Sequence, residues 1–174
     1  MKIDSLPRSE VAPFYNDYLT LVDANTTLVE LLKNGLNDYN AISEKITKLN
    51  KQKFSYADQK WSVQDLLLHL IDTERIFCYR ALCIARGDKT FFPGFDENDY
   101  VIYASANNRS FESLSDEFLA VRLASVQLFK SFTANQLAAL GTASGKQISV
   151  RAIGFIITGH FNHHLNILQS RYLF

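Results

Sequence analysis

The sequence predicts an all-α fold, a four-helix bundle, and three observations predict it. Four long segments repeat their apolar residues every three or four positions, the period of a helix with one buried face. Each of these segments opens at a serine or threonine, the residue types that cap helices. No stretch shows the alternation of a half-buried strand, and no internal repeat divides the chain. Residues 1–174 are expected to form one domain, long enough for a substantial core.

Pro7 to Val22 is short and aromatic (Phe14, Tyr15, Tyr18) and reads as a helical turn or two laid against the body. Thr27-Leu28-Val29-Glu30 has the form of a capping box, with Glu30 reaching back to Thr27. Behind it Leu28, Leu32, Leu36, Tyr39, Ile42, Ile46 and Leu49 trace one helix face, interrupted only by the weak helix former Gly35. The polar, lysine-rich residues 50–60 read as a connection. Ser62, with Asp65 in the first turn, starts a second helix through Leu66, His69, Thr73, Ile76, Phe77 and Ile84, which Gly87 is suited to end.

From Asp88 to about Arg109 the pattern is lost, and the segment is expected to be irregular. A loop so long in a compact domain is usually functional or covers something. Ser110 opens a third helix with Leu114, Phe118, Val121, Ser125, Leu128 and Phe132 inward. Thr133 to Gln136 repeats the capping-box pattern for a short helix ending near Gly141, and the last long helix begins at Ser149. The roughly 20-residue link between the second and third helices is long enough for a crossover.

Composition limits the functions available. The formal net charge is zero, and Lys and Arg form no cluster above ordinary surface density, so neither nucleic acid nor an anionic membrane surface is an expected partner. The first residues lack the apolar run of a signal peptide, and no 18-residue apolar stretch follows. Cys78 and Cys83, five residues apart on one helix, point about 140° apart and are not expected to bridge. Together these features suggest a cytoplasmic, reduced protein.

The histidines carry the chemistry. His160 and His164 stand four residues apart in the last helix, one turn apart on one face, close to the stripe of Ile153, Ile156, Ile157 and Ile167. Such a pair is a common helical half of a transition-metal site. His163 is also within reach of His160, and spacing alone does not choose between His163 and His164. A third ligand has to come from elsewhere, and His69 is the one other histidine. Burying three imidazoles is costly unless their nitrogens find partners, and one metal ion partners all three.

A family resemblance rests on Trp61-Ser62 followed by Leu68-His69-Leu70-Ile71-Asp72-Thr73-Glu74-Arg75-Ile76-Phe77 and Tyr79-Arg80-Ala81. It extends to Ala85-Arg86-Gly87-Asp88, Pro93-Gly94-Phe95-Asp96, Val121-Arg122, Ser149-Val150-Arg151-Ala152 and Gly159-His160 with His163-His164. The chain resembles the DinB-like (DinB/YfiT) superfamily from Tyr15 onward, near its metal-dependent hydrolases and bacillithiol transferases. The resemblance implies a four-helix bundle with a long crossover between helices two and three. It also implies a divalent metal held by three histidines, and frequent dimers. Carried over by position, the ligands are His69, His160 and His164. Many relatives have an acidic residue directly after the first histidine of the last helix. This chain has Phe161 there, which also excludes an HExxH metalloprotease.

Three neutral histidines leave a coordination position open, the pattern of catalytic zinc. The expected cofactor is one divalent ion, zinc or nickel, and the expected substrate a small molecule. The chemistry is either hydrolysis or transfer of a low-molecular-weight thiol cosubstrate to an electrophile, and the resemblance favours transfer. A non-enzymatic metal-binding stress protein, with the ion as a brace, is the alternative. Asp72, three residues after His69, and His163 are candidates to orient an imidazole from behind, with a surface ion pair as the plain role for Asp72. Phe95 and Phe161 are candidates for the substrate pocket. Arg80, Arg122 and Arg151 are expected to be paired structural arginines, although one near the site could hold a substrate carboxylate. A homodimer is expected.

Overall fold

The computed structural model describes residues 1–173, and each long helix in it begins where a hydroxyl meets free N–H groups. In α2 (Leu28–Lys48) the Glu30 carboxylate accepts from the N–H and hydroxyl of Thr27, as the capping box requires. In α3 (Val63–Ala85) the Ser62 hydroxyl accepts from the Asp65 N–H at 3.1 Å, and the Asp65 carboxylate accepts from the Ser62 N–H at 2.9 Å. Ser110 caps α5 (Phe111–Ser131) and Ser149 caps α7 (Val150–Ile167) in the same way, each accepting an N–H at 3.1 Å. The apolar stripes then pack these four helices into a bundle.

The packing order is not that of the chain. Both α2 and α3 pack on α5 and α7, which leaves α2 and α3 on a diagonal. The four-helix bundle therefore has the anticipated crossover, formed by residues 86–110. α7 is the most enclosed of the four, with every residue from Ala152 to Phe161 buried. On its outer side lies the N-terminal segment, including the single-turn helix α1 (Asn16–Leu19).

Two expectations need correction. The crossover is not irregular throughout: it holds the strand β1 (Phe91–Phe92), helix α4 (Glu97–Ala104) and a 3₁₀ turn (Ala106–Asn108). The Asp96 carboxylate caps α4 by accepting the N–H groups of Asn98 at 2.8 Å and Asp99 at 3.2 Å. Because α4 buries no residue, its sequence carries no apolar period. Strands also exist. After the short helix α6 (Ala134–Ala138), β2 (Leu140–Ala143) and β3 (Lys146–Ser149) pair antiparallel, with Leu140 opposite Ser149, and β1 adds parallel to β2. Strands of two to four residues are too short for alternation to be visible. The tight turn has Ser144 and Gly145 both at positive φ, the form that matches hairpin twist.

One buried charge pair ties the diagonal framework together. Arg122 of α5, 1% exposed, lays its fork on the carboxylate of Glu74 of α3, 4% exposed, at 2.8–3.0 Å. Gly35 of α2 makes room for it, since a β-carbon there would lie 2.0 Å from an Arg122 nitrogen. Cys78 and Cys83 are free thiols, as expected. No described helix is long and apolar enough to cross a membrane.

Candidate metal centre

Helix spacing and one close backbone contact assemble the site. His160 and His164 project one turn apart from α7 toward α3, where His69 occupies the second turn. Their Nε2 atoms converge: His160 lies 3.0 Å from His69 and 3.1 Å from His164, and all three ligand atoms fall within 4.8 Å of one another. The residues are 8%, 7% and 9% exposed. Gly159 lets the N-terminal segment press onto α7, because a β-carbon there would sit 2.1 Å from the Tyr18 carbonyl oxygen. The Tyr18 ring then stands edge-on to both His160 and His163, each at 5.4 Å between centroids. Trp61 tilts against His69 at 4.9 Å.

Electrostatics keep these imidazoles neutral. Burial lowers the pKa of His69 to about 4 and that of His164 to about 3, the latter with help from the neighbouring His69 and His163. Burial also holds His160 well below the ordinary histidine range, reinforced by His164 and His69. Three neutral nitrogens aimed at one point cannot satisfy each other, because a proton on one Nε2 serves only one neighbour. A single Lewis acid at the point of convergence serves all three, so the donor set fits a divalent transition ion. The trio lies on the wall of a cavity of about 640 Å³, within the range of small-molecule sites.

Residues 31–168 match the family model of the DinB superfamily. The chain belongs to the DinB superfamily. No curated protein matches it. Among solved structures it is similar to YfiT from Bacillus subtilis, described as "a probable metal-dependent hydrolase with an unusual four-helix bundle topology". That similarity has a TM-score of 0.74 at 13% identity, over 95% of this chain and 90% of that one. A mycothiol-dependent maleylpyruvate isomerase gives a TM-score of 0.66 at 12% identity, over 95% of this chain and 62% of the other. A DinB-like protein of Bacillus subtilis, YjoA, gives 0.56 at 19% identity, over 85% and 95%. At these identities the likeness is one of fold.

Within this DinB-superfamily bundle the anticipated site residues separate. His69, His160 and His164 come together. His163 lines the same cavity with its ring 5.0 Å from that of His164, outside the convergent trio. Phe95 also lines the cavity, tilted on Tyr100 at 5.0 Å. Phe161 does not. Lying 100° around α7 from His160, its ring stacks on Phe118 at 5.6 Å and covers the Arg122 guanidinium at 4.7 Å, in the core behind the site. Nor does Asp72 reach an imidazole. The cavity stripe of α3 runs through His69, Thr73, Phe77 and Arg80, which turns Asp72 to the flank beside Arg75 at 3.8 Å.

Among the described residues no carboxylate hydrogen-bonds to any of the three histidines. The Nδ1 of His164 is buried without a partner, and the rings are held by aromatic packing. Two cavity groups had no distinctive sequence signal. Thr73, one turn from His69, carries a buried hydroxyl with no partner, and Tyr18 reaches the histidines because Gly159, distant in sequence, admits its backbone.

Proposed function

We propose that this protein is a metal-dependent enzyme acting on small molecules, with one divalent ion, zinc or nickel, held by His69, His160 and His164. The observation that carries this reading is the convergence of three buried, neutral Nε2 atoms on the wall of an open cavity of about 640 Å³. A brace would need no such cavity. When bound, such an ion supplies the Lewis acidity that makes a thiol or a water nucleophilic near neutral pH.

The reaction we favour is transfer of a low-molecular-weight thiol to an electrophile. The chain's own residues support a thiol from outside. Cys78 is pushed up to about 12 by burial, and neither cysteine lines the cavity. The imidazoles need no deprotonation to act as ligands at neutral pH. Tyr18 and Trp61 pack the ligand rings, while Phe77 and Phe95 give the cavity apolar walls that limit water near the reacting groups. Hydrolysis is the second reading, supported by the same open cavity and by the likeness to YfiT, a probable metal-dependent hydrolase.

We further propose a homodimer, for which the exposed Phe14, Phe91, Ile102 and Tyr103 offer apolar surface, and residence in a reducing compartment in keeping with two free thiols. Light scattering checks the first, with a mass near the 19.8 kDa of a single chain contradicting it. The functional test compares metal-replete and chelated protein across cysteine, glutathione and a glucosamine-linked thiol with a chloro- or epoxide-bearing acceptor. Transfer should require the ion. Equal rates with and without it for every pair would remove the transferase reading.

A further inference from the structure

Arg80 is 4% exposed, yet among the described residues no carboxylate lies within ion-pairing distance of it. The contrast with Arg122 is informative: that arginine, 1% exposed, has the carboxylate of Glu74 in its fork. A buried guanidinium without a counter-charge is costly, and such groups are ordinarily paired. Arg80 instead donates one N–H to the Pro93 carbonyl at 2.6 Å and faces the histidine-lined cavity. Glu97 also lines that cavity but does not reach the guanidinium, whereas Lys146 adds a second positive charge to the lining.

The stripe leading to Arg80 is itself built. His69, Thr73, Phe77 and Arg80 succeed one another on one face of α3 and all line the cavity. Eleven residues of helix separate the first and last α-carbons by about 16 Å, and helical side chains lean toward the N-terminus, which brings the guanidinium back toward the histidines. Between them Thr73 lines the cavity, with its hydroxyl buried and without a partner. The cavity thus runs from a metal-ligand trio past Thr73 and an apolar ring to an unneutralised fork.

We propose that Arg80 is the carboxylate-recognition residue of this cavity. Its substrate is a small molecule with a carboxylate seated in the Arg80 fork and a reactive centre at the three histidines. The planar fork of arginine matches a carboxylate by two parallel hydrogen bonds, which a point charge does not. The placement of the reactive centre rests on the function proposed above, whereas recognition of the carboxylate does not.

Trp61, the one tryptophan of the chain, lines the cavity and supplies a fluorescence signal. The test is titration with 3-phenylpropionate and with its amide, 3-phenylpropionamide, in metal-loaded and in chelated protein. Wild type should prefer the acid at least tenfold in both forms. Arg80→Gln keeps an N–H donor for Pro93 and removes the charge. It should bring the ratio to about one with unchanged melting temperature and metal content. Arg80→Lys keeps the charge without the fork, should lose most of the preference, and decides the matter if the glutamine variant does not fold.

Retention of the full preference in Arg80→Gln or Arg80→Lys, or no preference in wild type, overturns the proposal. A preference confined to metal-loaded protein and surviving Arg80→Gln places the carboxylate on the ion: Arg80 recognition fails and the metal reading stands. A preference abolished by Arg80→Gln in protein that takes up no metal supports Arg80 recognition and removes the metal reading.

Discussion

The Nε2 atoms of His69 and His160, 91 residues apart in the chain, lie 3.0 Å from each other. That approach fixes α3 to α7 at one depth, and with His164 it concentrates three buried imidazoles in one place. Neutral nitrogens so arranged are a strain on the apo fold and a ready ligand set for a cation.

The pH dependence of the chelated protein follows. In the unfolded chain a histidine titrates near 6.5, whereas in the fold His69 titrates at about 4 and His164 at about 3. Below pH 6.5 the unfolded state binds more protons, so stability is full above that pH and falls as pH drops toward 4. His69 alone accounts for about 3 kcal/mol of loss across that window. Melting temperatures of chelated protein from pH 7.5 to 4 should decline, and His69→Phe should flatten the decline. A pH-independent melting temperature would contradict the burial of neutral imidazoles.

The ion pair behind the site should be intolerant of truncation. Glu74→Ala leaves the Arg122 guanidinium buried without its carboxylate and should cost roughly 3–5 kcal/mol, read as a lowered midpoint in urea unfolding. Gly35→Ala should destabilise as well, since its methyl group meets the Arg122 side chain.

Gly159→Ala should lift the N-terminal segment from α7. The added methyl group collides with the Tyr18 backbone, not with a side chain that can turn aside. Hydrogen exchange should then rise at Leu21 and its neighbours, where Asn162 now donates to the Leu21 carbonyl at 2.9 Å. Exchange unchanged from wild type would show that the segment is held elsewhere.

Phe95→Ala should weaken use of the electrophile with metal content unchanged, because Phe95 lines the cavity and is not among the converging residues. Phe161→Leu should act on stability instead, since its ring belongs to the core. A fall in both metal content and activity for Phe95→Ala would count against this division.

The frame was legible in the sequence because each long helix carries both a cap and an apolar stripe. Ser62 with Asp65, and Thr27 with Glu30, state where helices start without reference to the rest of the chain. What escaped depends on contacts that leave no period. The exposed α4 has no stripe, and the strands at Phe91 and Leu140 are too short to alternate. At the site, spacing placed His160 and His164 on one face but left His163 open. Asp72 looked close to His69 because three residues are less than a turn. The rotation of α3 that turns Thr73, Phe77 and Arg80 to the cavity, and Asp72 to Arg75, is set by packing against α5 and α7.

The most direct measurement is the metal content of purified protein after dialysis, by elemental analysis, for wild type, His160→Ala and His163→Ala. About one divalent ion per chain is expected in wild type and in His163→Ala, with strong loss in His160→Ala, whose Nε2 lies next to both of the others. Full retention of the ion in His160→Ala would contradict the three-histidine centre.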